Sequence, residues 1–303
     1  MLTQQIIDRV VTTALDEDAP WGDVTSELFI PAEATASARL VAREPGVFSG
    51  GQLLVRTMLA VDERIVVELL LGEGERFEKG QALAHATGPA RGILRGERVA
   101  LNLVQRMSGI ATLTARYVQL AAGTDARIVD TRKTTPGLRA LERHAVVCGG
   151  GQNHRNSLSD AVMAKDNHLA VLTAGERSVT DAIRSVRDRL GHTTHLEVEV
   201  DRMDQIEPVL AGGVDTIMLD NFTIDELREG VALVAGRAIV EASGNVNLDT
   251  VAAIAATGVD IISVGALTHS VRSLDIGLDL DISAPAAESA PLVEFVEASP
   301  TTA

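Results

Sequence analysis

Four short apolar runs recur at nearly equal spacing in the second half of the chain: LEVEV at 196–200, TIMLD at 216–220, AIVEAS at 238–243 and DIISVG at 260–265. They start 20, 22 and 22 residues apart. Helical stretches such as RMDQIEPVLAGG, TIDELREGVALVAGR and NLDTVAAIAATG lie between them. Parallel strands need a crossover of about a dozen residues, so this spacing predicts repeated strand–helix units and a parallel sheet. ARIVD at 126–130 and VMAKD at 162–166 bring the strand count to six. A full eight-fold barrel takes about 250 residues. The part after residue 125 is shorter, so a reduced barrel or an open sheet is expected.

Almost every one of these strands ends on a polar or small residue: Asp130, Lys165–Asp166, Glu199, Asp220, Ser243, Gly265. In an α/β barrel the active site lies at those C-terminal ends.

The grammar before residue 125 is different. Residues 1–20 read as an amphipathic helix. Residues 35–90 read as antiparallel strands, with GEGERFEKGQALAHATG similar to a strand–turn–strand of a lipoyl-like sandwich. Residues 93–122 have helical spacing, with a break or kink expected at Gly109. The tail after Leu280 is rich in Ala, Ser, Pro and Glu and reads as largely disordered. The division expected is 1–115 for an N-terminal domain, 116–282 for the catalytic domain and 283–303 for the tail.

Composition narrows the function classes. No apolar run reaches the roughly 18 residues of a membrane span. The N-terminus carries acids and no basic region, which argues against a signal peptide. The single cysteine, Cys148, rules out an internal disulfide, fits a reducing cytoplasm and argues against a zinc site. A formal net charge of −15 disfavours nucleic acid and anionic membranes as partners.

Against that acidity, TRKTTPGLRALERHAVVCGGGQNHR at 131–155 gathers Arg132, Lys133, Arg139, Arg143 and Arg155 around one acid, Glu142. The chain has only three lysines, and Lys165 follows ten residues later. Arginine grips carboxylates and phosphates bidentately. Arg132, Lys133 and Lys165 stand at strand ends and so favour a small polyanionic ligand. For Arg139 and Arg143, four apart on a helical piece, structural ion pairing stands level with a ligand role. The glycines at 149–151 let a backbone approach a ligand closely.

Glu199 and Asp220 end neighbouring strands and suit Mg²⁺ through water, or ribose hydroxyls. Glu197 shares a face with Glu199, but Glu199 lies nearer the strand end. Ser243-Gly244-Asn245 and Gly265-Ala266 follow consecutive strands, which favours a phosphate monoester site. His168, His192, His195 and His269 lack metal spacing, and Cys148 has no identifiable base. The same residues leave open a barrel aldolase with Lys165 as Schiff-base lysine, or an inactive nucleotide-binding module.

Taken in order, ERVALNLVQRMSGIAT, DTRKTTPGLRALERHAVVCGGGQNHR, AKDNH, LEVEVD, IMLDN, EASGNV and SVGALTHS make a pattern that resembles the quinolinate phosphoribosyltransferase family. The resemblance runs from WGDVTS at 21–26 to LDIGLDL at 274–280. It implies an N-terminal α/β sandwich domain and an incomplete α/β barrel. It also implies a cytoplasmic homodimer with active sites shared between subunits. Its substrates would be quinolinate and phosphoribosyl diphosphate, with Mg²⁺ as cofactor. On this pattern Arg106 reaches across the dimer to quinolinate. Arg132, His154, Arg155 and Lys165 line the carboxylate pocket, and Lys133 lies towards phosphoribosyl diphosphate. Lys133, Glu199 and Asp220 are the catalytic group, and the two acids sit at the ribose and Mg²⁺-diphosphate. Ser243, Gly244, Asn245, Gly265 and Ala266 bind the 5′-phosphate. Asn245 departs from a frequent glycine, and its backbone N–H still serves. A relative of the molybdenum-transport type shares these motifs with a different substrate.

Overall fold

The computed structural model describes residues 2–174 and 177–283, so most of the tail expected to be disordered lies outside the described residues. The chain begins with α1 (Gln4–Asp18), α2 (Val24–Phe29), β1 (Thr35–Ala42), β2 (Gly46–Val47), α3 (Gly51–Val61), β3 (Val66–Leu69), β4 (Arg76–Phe77), β5 (Ala82–Pro89) and α4 (Ala90–Leu120). It continues with β6 (Arg127–Val129), α5 (Arg139–Cys148), β7 (Val162–Ala164), α6 (Asp166–Leu172), α7 (Val179–Arg187), β8 (Leu196–Val200) and α8 (Ile206–Ala211). Then come β9 (Thr216–Asp220), α9 (Ile224–Val234), β10 (Ile239–Ser243), α10 (Val251–Ala255), β11 (Ile261–Ser263), α11 (Ala266–His269) and β12 (Ile276–Ser283).

The repeated runs form one parallel sheet in the order β6-β11-β10-β9-β8-β7. This is the incomplete, six-stranded α/β barrel expected. Its central strands are buried on both faces, as parallel strands with crossover helices must be. Val198, Ile217, Leu219 and Ile262 are fully buried. β6 and β7 do not pair with each other. After α5 the chain instead lays Gln152 against the open edge of β6, where Val129 and Gln152 form a parallel bridge. That places His154 and Arg155 beside the end of β6.

The N-terminal sheet is antiparallel, in the order β12-β1-β5-β3, with a separate β2–β4 ribbon. On β1, Ala36, Ala38 and Leu40 are buried, while Thr35, Ser37 and Arg39 are exposed, the period-2 pattern of a sheet covered on one side. Phe48, Leu54, Met58, Ile93 and Val104 complete this core. α4 continues past it into the barrel core through Met107, Ile110 and Tyr117.

The structure corrects four readings. Residues 51–61, placed among strands, form α3. Its buried Leu53, Leu54, Thr57 and Met58 lie on one helical face, spaced by one turn. The piece 72–88 does contain two strands, but β4 pairs with β2 and β5 with β1 and β3. α4 is unbroken at Gly109. The glycine is there because a Cβ would lie 2.3 Å from the Arg272 carbonyl oxygen, so it serves close approach. The boundary at 115/116 falls inside α4, and β12, assigned to the barrel segment, pairs with β1 in the N-terminal sheet instead. The strand returns because the 272–276 segment runs along α4, where the Leu274 N–H donates to Gln105 O and Gln105 Nε2 donates to Ile276 O.

Gly109→Ala therefore sets a methyl against fixed backbone. It should lower the free energy of unfolding by about 1–3 kcal/mol, measured by urea titration. An unchanged midpoint would remove close packing as the reason for this glycine.

Candidate active site

A cleft of about 350 Å³ opens at the C-terminal ends of the barrel strands. Arg132, Lys133, His154, Arg155, Lys165, Glu199, Asp220 and Ser243 line it, with Thr131, Met163, Met218, Glu241 and Ser263. Eight of the residues singled out from the sequence thus meet in one place. Asp220 and Ser243 are register partners on β9 and β10. A more apolar cavity of about 430 Å³ lies between α6, α7 and the β7–β8 edge, lined by Leu158, Leu169, Leu172, Ile183 and Val186. Its lining contains one cation, Arg155, and does not suit a polyanion.

The cations of the 131–155 stretch divide into two sets. Arg143 is nearly buried and donates to Asp130 Oδ1 at 3.2 Å. Arg139 donates from Nε to Thr134 Oγ1 at 3.0 Å and from Nη1 to Asn156 O at 3.2 Å. These two tie the loops of the cleft together and do not face a ligand. Arg132, Lys133 and Arg155 form no ion pair with a carboxylate among the described residues. Arg155 is fixed by donation to Ala161 O and contact with Met163 Sδ. Burial, then the neighbouring Arg132 charge, lowers its pKa from the ordinary arginine value. Two neighbouring guanidiniums, neither of them ion-paired to a carboxylate among the described residues, suit an anion.

His154 closes the floor of the cleft. Its N–H donates to buried Asp130 Oδ1 at 2.7 Å. Burial pushes the Asp130 carboxyl up to about 6 against the pull of Arg143 and His154. The His154 ring points its Nε2 at Glu197, 3.2 Å away, and at Glu241, 3.4 Å away. Both acids are buried, on β8 and β10. Burial alone lowers the imidazole pKa, but these partners carry it up to about 10. A ring so charged has protons on both nitrogens, yet Nδ1 receives the Arg155 N–H at 2.7 Å. Burial first and Glu241 next raise the Glu197 pKa as well, so that carboxyl competes with the ring for the proton. Either distribution leaves the trio with one net negative charge. His154 and Glu241 also line a cavity of about 410 Å³ that reaches the first residues of the strands, including Arg127, Thr216 and Ile261. The trio is therefore a polar partition inside the barrel. Glu241 was not identified from sequence and Glu197 was passed over. The signal was an acid inside each buried run, LEVEV and AIVEAS.

At the rim, Lys165 Nζ bonds Glu199 Oε2. Such an ammonium, charged and paired, does not suit a Schiff-base role. Asp220 has no cation partner among the described residues and accepts from Asn221 Nδ2 at 2.7 Å. Gly244, Asn245 and Gly265 lie outside the lining, on loops that follow Ser243 and Ser263, and Ala266, also outside it, opens α11. Gly244 (φ 86°) and Asn245 (φ 54°) turn the first loop, and a Cβ at Gly244 would sit 2.2 Å from Asn221 Oδ1. A Cβ at Gly265 would come within 3.0 Å of Lys133 Cδ, so this loop abuts the Lys133 side chain. α11 starts after Gly265, whereas α10 starts only at Val251, so no helix begins at the Ser243 loop. The N–H groups of Gly244, Asn245, Gly265 and Ala266 have no acceptor among the described residues.

Arg106 is not in this cleft. Its Nε donates to Glu142 Oε1 at 2.9 Å, and Nη2 donates to Thr135 Oγ1 at 3.0 Å and to Thr268 O at 2.9 Å. Within its own subunit its guanidinium neutralises a buried acid, Glu142, while the arginine itself stays part-exposed.

Two family models match, described as the quinolinate phosphoribosyl transferase N-terminal domain, over residues 23–108, and C-terminal domain, over residues 110–279. The nicotinate-nucleotide pyrophosphorylase (carboxylating) of Mycobacterium leprae is 43% identical over 279 residues, covering 89% of this chain and 95% of its own. The crystal structure of NadC from Streptococcus pyogenes superposes with a TM-score of 0.89 at 37% identity, covering 94% of this chain and 99% of that one. The nicotinate-nucleotide pyrophosphorylase of Francisella tularensis gives a TM-score of 0.86 at 33% identity, covering 93% and 98%. With both domains matched and the cation-lined cleft in place at the strand ends, the chain belongs to the quinolinate phosphoribosyltransferase family.

Proposed function

We propose that the cleft joins quinolinate to phosphoribosyl diphosphate, giving nicotinate mononucleotide, diphosphate and CO₂, a step of de novo NAD biosynthesis. The observation that carries this reading is the unpaired Arg132–Arg155 couple on the floor side of a polar cleft. A pyridine dicarboxylate places two anions against two such guanidiniums. Lys133 and the N–H-rich loops at Gly244–Asn245 and Gly265–Ala266 then receive the phosphoribosyl group.

The pyridine nitrogen attacks the anomeric carbon as diphosphate leaves. Positive charge develops on the ribose ring, and Glu199 and Asp220 at the rim stabilise it. Arg132 and Arg155 hold the ring in line for attack. Once the nitrogen is quaternised, the pyridinium stabilises the electron pair left on C2 as the 2-carboxylate departs as CO₂, and C2 then takes a proton from water. The oxygen donors at the rim fit Mg²⁺, which is usually held by one or two carboxylates together with substrate phosphates. Asp220 would hold it, since Glu199 is spoken for by Lys165. When bound, Mg²⁺ neutralises the leaving diphosphate. Label from quinolinate carrying a marked 2-carboxylate should appear as CO₂ only when phosphoribosyl diphosphate is present. Nucleotide formation that retains the label would sink this reading.

A second copy of the chain completes the proposal. Trp21, Val24, Leu28 and Phe29 are exposed, and Trp21, the sole tryptophan, is 94% exposed. So apolar a patch suits a homodimer. Among the five arginines of α4, Arg98 and Arg116 are exposed and free of hydrogen bonds and ion pairs among the described residues. The guanidinium lent to the partner's cleft is Arg106 on the family pattern, with Arg98 and Arg116 as the unpaired alternatives on the same helix. Trp21→Ser with Phe29→Ser should raise the dimer dissociation constant by at least ~10-fold in sedimentation equilibrium. A monomeric wild-type protein would remove the dimer. In a cytoplasmic setting both substrates are at hand to such an enzyme.

A further inference from the structure

Glu73, His144 and Cys148 lie outside the cleft, where the loop before β4 meets the end of α5. His144 and Cys148 are four residues apart on α5 and so share one face. His144 Nε2 is 3.1 Å from Glu73 Oε2, Cys148 Sγ is 3.4 Å from Glu73 Oε2, and Sγ is 3.4 Å from Nε2. A tetrahedral zinc ion with ordinary bond lengths sets its sulfur about 3.5 Å from its nitrogen and oxygen ligands, and nitrogen about 3.3 Å from oxygen. The three atoms already have the separations of one face of that tetrahedron, within about 0.2 Å.

The acceptor is also held from behind. Glu73 Oε1 receives the Gly51 N–H at 2.7 Å and the Gly50 N–H at 3.1 Å, which turns Oε2 towards α5. Gly74 lets the loop seat closely, since a Cβ there would lie 3.0 Å from Cys148 O. The Gly74 N–H donates to Phe48 O at 2.8 Å. This is the outer support that orients ligands in metal sites. His144 and Glu73 side chains keep 31% and 29% of their surface, so an ion can enter from solvent.

We infer that Glu73, His144 and Cys148 form a binding site for a divalent cation of the zinc class, with water at the fourth position. Thiolate with imidazole selects zinc or cobalt over the Mg²⁺ proposed for the cleft. As the bonds form, the Cys148 thiol proton and the second imidazole proton pass to solvent. The three groups carry no net charge before binding, and with the ion they again carry none. The ion would staple the N-terminal loop to the helix that leads into Gly149–Gly151 and on to His154. A single cysteine argues against a zinc site in sequence, but Glu73 stands 71 residues from His144, beyond any spacing rule.

The test uses the tag-free full chain, stripped with chelator and titrated with Co²⁺. One equivalent should give a thiolate-to-cobalt charge-transfer band and the strong visible absorption of four-coordinate cobalt, both bleached by one equivalent of Zn²⁺. Cys148→Ser should abolish the charge-transfer band. His144→Ala and Glu73→Gln should each weaken binding by at least about 10-fold. Circular dichroism confirms that each variant is folded. No thiolate band in the wild type, or a band that survives both His144→Ala and Glu73→Gln unchanged, overturns the site.

Discussion

Arg106→Ala should lower the free energy of unfolding by about 3–5 kcal/mol, the cost of removing one partner of a buried ion pair. Glu142 is fully buried, and Arg106 is its guanidinium partner. The other donor to its carboxylate is the Thr135 N–H at 3.1 Å, which does not cancel a charge. The same arginine fastens Thr135 and the Thr268 carbonyl, so α4, the loop after β6 and α11 all lean on it. Urea denaturation reads the loss. Arg106→Met with Glu142→Leu removes both charges and should recover most of it, because isosteric apolar replacement of a buried pair is often neutral. A single variant of wild-type stability, with activity lost only when subunits pair, would leave Arg106 only the trans role implied by the family pattern.

The second large effect concerns chemistry. Arg132→Ala should cut kcat/KM for quinolinate by roughly 100-fold, about 3 kcal/mol for a charge-assisted carboxylate contact. Affinity for phosphoribosyl diphosphate should change little, because the reading proposed above gives that substrate to Lys133 and the Gly244 and Gly265 loops. Stability should hold or rise slightly, since Arg132 repels Arg155 and pairs with no acid among the described residues. Calorimetry with each substrate separates the two losses. An equal loss for both would assign Arg132 to positioning the loop.

The barrel was the most legible part of the sequence. β9 coincides with TIMLD because a strand buried on both faces reads as an apolar run, and β8 coincides with LEVEV because its β-branched alternation is that of a strand. Lys165, Glu199, Asp220 and Ser243 followed from the strand ends, as barrel geometry dictates. What escaped depends on contacts distant in the chain. α3 hid among strands because its eleven residues give barely three turns of periodicity. Gly109 looked like a break because its neighbour, Arg272 O, lies 163 residues later. For Arg139 and Arg143 ion pairing and a ligand role stood level until Asp130 and the Thr134 and Asn156 loops were in place around them. Glu197 and Glu241 gain a purpose only when His154 arrives between them from a third segment.

The measurement that tests the account most directly compares quinolinate with nicotinate, each with saturating phosphoribosyl diphosphate and Mg²⁺, by nicotinate mononucleotide formed. The Arg132–Arg155 couple predicts that quinolinate is preferred by at least about 100-fold in kcat/KM, since nicotinate lacks the second carboxylate, a contact of about 3 kcal/mol. Equal use of the two acids, or faster use of nicotinate, would contradict a dicarboxylate receptor in this cleft.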